Sequence, residues 1–132
     1  MMRSVYAALA ITSLSACAGP PADSGNAPSP IEKLTAGKVA GAPLKCLPSY
    51  AARDQLVIGP DTIAYRDGSS RVSVNHLSEG CSPLDSHVTL VTHSVTSELC
   101  SGDFVSVIEP PSSFVTASCT LGDFIPYTAP SK

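Results

Sequence analysis

Three sets of side chains in this 132-residue sequence have the types from which sites are built: three histidines, two Gly-Asp turns and five cysteines. His76, His87 and His93 invite a metal reading, because neutral imidazole is the commonest metal ligand. Their spacing argues against it. His87 and His93 share parity on one β-rich segment, where a separation of about six residues at ~3.3 Å each holds them roughly 20 Å apart. His76 falls on the strand face of Val72 and Val74, the setting of a half-buried structural histidine. Asp103 and Asp123 recur in similar stretches, Cys100-Ser101-Gly102-Asp103-Phe104-Val105 and Cys119-Thr120-Leu121-Gly122-Asp123-Phe124-Ile125. A Ca²⁺ site or a carboxylate dyad would need further oxygens, and the D-x-D-x-D-G spacing is missing. A turn explains both stretches. Glycine takes φ > 0, aspartate accepts from nearby backbone N–H groups, and phenylalanine returns to the core. The sequence has no G-x-S-x-G, P-loop or H-E-x-x-H motif, and no spacing supports a Ser-His-Asp set. The sequence therefore assigns no catalytic residue, metal ligand or cofactor.

The odd cysteine count requires one to be explained separately. Met1-Met2-Arg3 is a short positive start, and Val5–Leu14 is apolar apart from Thr12 and Ser13. That run is too short for a spanning helix, which takes roughly 20 residues, and has the length of a signal-peptide apolar region. It ends in Leu14-Ser15-Ala16-Cys17, which resembles the lipobox of bacterial lipoprotein precursors. The resemblance implies a diacylglycerol on the Cys17 thiol, cleavage between Ala16 and Cys17, and acylation of the new amine. Several acyl chains anchor stably where a single one binds reversibly. Aspartate after the cysteine is linked to inner-membrane retention. Ala18 stands there, which favours the outer membrane if the host is Gram-negative. Membrane lipid, through acylated Cys17, is one expected partner.

Setting Cys17 aside leaves Cys46, Cys81, Cys100 and Cys119. A small exported domain is where disulfides form and are needed. Four cysteines allow three pairings, of which Cys46–Cys119 with Cys81–Cys100 is favoured. The first bridge joins the two ends of the domain, and the second ties the ends of a strand around Val88–Val95. In the chain-entropy model they contribute roughly 4.5 and 3 kcal/mol. Zinc is disfavoured, because the sequence has no C-x-x-C pair.

These residues must be positioned by short strands. Residues 1–16 read as signal peptide. Residues 17–43 are the lipidated cysteine and a disordered tether rich in Ala, Gly, Pro and Ser, with Ile31–Leu34 its one possible local element. Residues 44–127 form the β-domain, and 128–132 a tail. Strands are expected at Gln55–Ile58, Thr62–Arg66, Arg71–Leu77, His87–Val95, Phe104–Ile108 and Phe114–Ser118, split by Gly, Pro, Asp and Ser. The fold class is all-β, a small antiparallel barrel or sandwich, with the barrel favoured because closure removes exposed edges. Charged residues are 14%, with Lys+Arg 8 against Asp+Glu 11, so no basic stripe is available for nucleic acid.

Cys46-Leu47-Pro48, Asp61–Gly68, Asn75-His76-Leu77 with Gly80-Cys81, Leu99–Asp103 and Cys119–Tyr127 together resemble a family of small proteobacterial envelope proteins of unknown function. Leu-Cys-x-Gly-Asp and Leu-Gly-Asp-Phe-x-Pro-Tyr are the most specific pieces. The resemblance implies the cell envelope and carries no activity or ligand. The expected function is a lipid-anchored, periplasm-facing module, binding or structural rather than enzymatic, with an envelope protein as partner. The alternatives are a small hydrolase or metal-binding enzyme using a histidine and an acid, or an inhibitor of an envelope-directed enzyme. The last rests on similarity of build to lysozyme inhibitors.

Overall fold

Short polar turns punctuate the chain, and two of them start the main sheet. Pro60-Asp61 reverses β3 (Asp54–Gly59) into β4 (Thr62–Asp67), with Gly59 opposite Thr62. Gly68, at φ 67°, starts the turn from β4 into β5 (Arg71–His76), where Asp67 faces Arg71. Two further strands, β1 (Val39–Ala40) and β10 (Phe124–Thr128), complete an antiparallel sheet of order β1-β10-β5-β4-β3. The computed structural model describes residues 27–78, 81 and 84–131. The expected signal peptide, Cys17 and the part of the expected tether up to residue 26 lie outside the described residues.

A second layer packs on one face of this sheet. It consists of β6 (Thr89–His93), β8 (Phe104–Ile108) and β9 (Val115–Thr120) in the order β6-β8-β9, beside a ribbon of β2 (Cys46–Pro48) and β7 (Glu98–Cys100). Period-2 alternation turns Val105, Val107 and Cys119 inward onto Ile63, Tyr65 and Phe124 of the large sheet. Each such aliphatic or aromatic side chain, once buried, contributes about 1.5–3 kcal/mol. The other face of the large sheet carries Ala64, Val72 and Val74, covered by Ile31 and Leu34 of α1 (Pro30–Thr35).

The all-β expectation holds, as a sandwich rather than the favoured barrel. The large sheet ends at β1 and β3, and the three-stranded sheet at β6 and β9, so neither closes on itself. The tether expected over residues 17–43 is also too long. Ser29 caps α1 with its side chain accepting from the Glu32 N–H, and Glu32 reaches back to the Ser29 N–H at 2.6 Å. This capping box, with Pro30 in the first turn, starts a helix whose apolar stripe then docks on the sheet. β1 adds to β10, with Val39 opposite Thr128. The expected tail likewise begins too early, because Thr128 pairs with Arg71 and the Ala129 N–H donates to Ser70.

The four domain cysteines form two disulfides, but not the favoured pair. The bonds are Cys46–Cys100 and Cys81–Cys119. The favoured pairing of Cys46–Cys119 and Cys81–Cys100 depends on the first and last strands being neighbours; β1 and β10 are neighbours, but Cys46 lies on β2 and Cys119 on β9. Instead β2 pairs with β7, placing Cys46 directly opposite Cys100 with Cα atoms 4.0 Å apart. Cys119 points inward from β9 and meets Cys81 after β5, with Cα atoms 5.1 Å apart.

Candidate functional site

The three histidines occupy three separate settings. His76 Nδ1 lies 3.1 Å from the Thr62 hydroxyl, and His93 Nε2 lies 3.0 Å from the Ser106 hydroxyl. His87 Nδ1 is 3.5 Å from the Asp85 carboxylate. Among the described residues, the grouping that brings three ligand-type atoms within 4.8 Å of one another is Cys46, Glu98 and Cys100. Both of its sulfurs are bonded to each other, so it offers no thiolate to a metal.

The two Gly-Asp turns lie side by side but do different things. Gly102 has φ 96°, and Asp103 accepts from the Cys100 N–H at 2.7 Å, as a turn aspartate should. Phe104 after it is 55% exposed, against the expectation that it returns to the core, whereas Phe124 is fully buried. Asp123 accepts from Lys45 Nζ at 2.8 Å. That hydrogen bond, with a smaller contribution from Ser101, holds the Asp123 carboxyl below its ordinary range. The turns bond through backbone, Gly102 N–H to Leu121 and Leu121 N–H to Asp103, each at 2.9 Å. Their carboxylates answer to different partners.

Asn75, fully buried on β5, belongs to a motif piece to which the sequence reading gave no role. Its Nδ2 donates to the Gly122 carbonyl at 2.7 Å, and its Oδ1 accepts from the Gly122 N–H at 3.0 Å. One side-chain amide thus clamps both backbone groups of a single residue. The available signal was a polar side chain in the middle of a Val-rich strand, where asparagine is depleted. Tyr65 is another buried polar residue. Its ring meets Phe124 edge-on at 5.7 Å, its hydroxyl has no partner among the described residues, and burial pushes its pKa up. It is a neutral phenol sealed in the core.

Two cavities open at the seams between layers. One, of about 260 Å³, lies between β2 and the large sheet, lined by Leu44, Leu47, Pro126 and the stem of Arg71 among others. The other, of about 380 Å³, is lined by Gln55, Leu56 and Val57 of β3 and by Ser86, Val88, Thr89 and Leu90 at the start of β6. Side chains alternate along a strand, so a cavity that touches three consecutive residues meets the strand's backbone edge. β3 and β6 are both outer strands of their sheets. Gln55 bridges them, its Nε2 donating to the Leu90 carbonyl at 3.0 Å, while its Oε1 is buried without a partner among the described residues. A buried acceptor left unpaired costs about 1–3 kcal/mol, which marks this seam as the candidate site. Its chemistry is that of hydrogen-bonding edges flanked by apolar side chains.

No family model, curated protein or solved structure matches this chain.

Proposed function

We propose that this chain is a lipid-anchored envelope protein whose disulfide-bonded β-sandwich faces the periplasm and binds another envelope protein without catalysing a reaction. The observation that carries the reading is the cysteine arrangement. The four domain cysteines are consumed in two bonds, which leaves Cys17, at the end of Leu14-Ser15-Ala16-Cys17, as the odd thiol. Disulfides of this kind persist in oxidising compartments, and the lipobox-like stretch supplies a route there and an anchor. Binding is favoured over catalysis because each histidine already has its own partner and the cavity at the β3–β6 seam is lined by uncharged residues.

Metabolic labelling tests the anchor. Wild-type chain expressed in a Gram-negative host should incorporate labelled palmitate and fractionate with outer membranes, and Cys17→Ser should do neither. Equal labelling of the variant would overturn the anchor.

A further inference from the structure

We infer that Cys46, Cys100 and Glu98 form a three-ligand site for one Zn²⁺ ion when the Cys46–Cys100 bond is reduced, so that bridge and metal are alternative cross-links at one place.

Register brings the three together. β2 and β7 pair antiparallel, with Cys46 opposite Cys100 and Pro48 opposite Glu98. Side chains alternate along a strand. Leu47 and Leu99 therefore turn into the core, while Cys46, Cys100 and Glu98 share the outer face of the ribbon. Both sulfurs and a Glu98 carboxylate oxygen lie within 4.8 Å of one another. Zn–S bonds of about 2.3 Å and Zn–O bonds of about 2.0–2.2 Å hold the ligand atoms of a tetrahedral ion roughly 3.5–3.8 Å apart. Glu98 is exposed, so its carboxylate is free to swing the remaining distance. Three protein ligands leave the fourth position to water. No C-x-x-C spacing announces the site, because its cysteines come from two strands and lie 54 residues apart.

The two bridges differ in access. Cys119 is fully buried and Cys81 packs against the same core cluster, whereas Cys46 and Cys100 are half-buried and stand outside it. Exposed bridges are the ones that exchange with thiols. A protein dithiol supplies the two electrons and two protons. Its thiolate attacks one sulfur, its second thiol resolves the mixed disulfide, and it leaves as a disulfide while Cys46 and Cys100 become thiols. Zn²⁺ then displaces both thiol protons to solvent as two Zn–S bonds form. Glu98 favours this outcome over redox catalysis. Reactive redox cysteines sit in electropositive surroundings. Here the neighbouring group is a carboxylate, which attracts a cation, and Lys45 is committed to Asp123. The ion closes the same loop as the bridge, so the ribbon stays cross-linked in either redox state.

The probe is Zn²⁺ alone, added to the full-length chain carrying Cys17→Ser so that no thiol outside the domain competes. A phosphine reductant opens the bridges, and alkylation mapped by mass spectrometry follows each cysteine. Cys46 and Cys100 should label at least tenfold faster than Cys81 and Cys119. The singly opened chain should retain one Zn²⁺ through gel filtration, and the ion should slow alkylation of Cys46 and Cys100 at least tenfold. Co²⁺ in its place should give thiolate-to-metal charge-transfer absorption. The oxidised chain should retain no ion. Glu98→Gln keeps both cysteines, and should leave the oxidised unfolding midpoint and the order of labelling unchanged. It should weaken Zn²⁺ affinity about tenfold in competition with a chromogenic chelator. Five results would overturn the proposal: one labelling rate for all four cysteines, no Zn²⁺ on the opened chain, equal retention by the oxidised chain, equal affinity in Glu98→Gln, or loss of the β-sheet circular dichroism in the Zn²⁺-loaded chain.

Discussion

Asn75 and Gly122 form a contact in which each residue type answers to the other. A Cβ built on Gly122 would stand 2.5 Å from the His76 carbonyl oxygen, a backbone atom that cannot swing aside. Glycine therefore lets the Leu121–Phe124 turn approach β5, and Asn75 holds it there by bonding both Gly122 backbone groups. Asn75→Ala leaves a buried N–H and a buried C=O unpaired, at about 1–3 kcal/mol for each group lost. We expect a loss of about 2–4 kcal/mol in urea unfolding of the oxidised protein, and a similar loss for Gly122→Ala through steric displacement. Gly37, at φ 70° with nothing near its missing Cβ, should lose only about 1 kcal/mol as alanine. A loss no larger at residue 122 than at residue 37 would remove the close-approach argument. At this scale the sequence is partly legible. Asp103 as a turn residue followed from its glycine neighbour, because that geometry is local. The Asn75 clamp joins residues 47 apart in sequence, and no local pattern specifies it.

Among the elements, α1 shows how a short segment gains order from its ends and its neighbour. Six residues are too few to hold a helix in isolation. Ser29 and Glu32 cap it reciprocally, and Ile31 and Leu34, three apart and so on one face, dock on Val72 and Val74. Ser-Pro-x-Glu with Pro at the first helical position was readable as a helix start. Composition pointed to a tether because the surrounding Pro, Gly and Ala outnumber the four residues that matter. The cap makes a pH prediction. Hydrogen bonds from Ser29, backbone first and side chain second, lower the Glu32 pKa from 4.5. A carboxyl depressed in the folded state favours folding above its unfolded pKa, and that contribution is lost as pH falls through the folded value. Docking of α1, followed by Leu34 methyl resonances or by proteolysis before β1, should therefore loosen as pH falls from the ordinary glutamate range through the lowered folded-state value. Glu32→Gln should flatten that dependence, and Ser29→Ala should weaken docking at every pH by about 1 kcal/mol. An unchanged pH profile in Glu32→Gln would dismiss the cap as its source.

For the whole molecule, one disulfide ties the β2–β7 ribbon and the other ties β9 to the segment after β5, and their pairing reports which strands are neighbours. Four cysteines and an all-β pattern were legible, because composition and period-2 alternation are local properties. The pairing was not, since it depends on whether the last strand returns to the first. Here β10 returns to β1 and β5, while β2 joins β7, so Cys46 meets Cys100 across one ribbon and Cys119 meets Cys81 from the core. The sequence separations are 54 and 38 residues, and loops of that size contribute about 4 kcal/mol each in the chain-entropy model. Either bridge is thus a large part of the ~5–15 kcal/mol that holds a domain together. Cys46→Ala and Cys100→Ala should each destabilise strongly, and the double variant should be barely worse, because both changes remove the same bond. Cys81→Ala and Cys119→Ala should couple in the same way, with an added packing loss at Cys119, which is buried. Cys46→Ala combined with Cys119→Ala breaks both bridges, and that variant should fail to fold at 37 °C. If it is instead no worse than either single change, the two cysteines belong to one bond and the topology described here is wrong. Peptide mapping of unreduced protein gives the direct reading: Cys46-to-Cys100 and Cys81-to-Cys119 linked peptides are expected, and a Cys46-to-Cys119 peptide would contradict the pairing of β2 with β7.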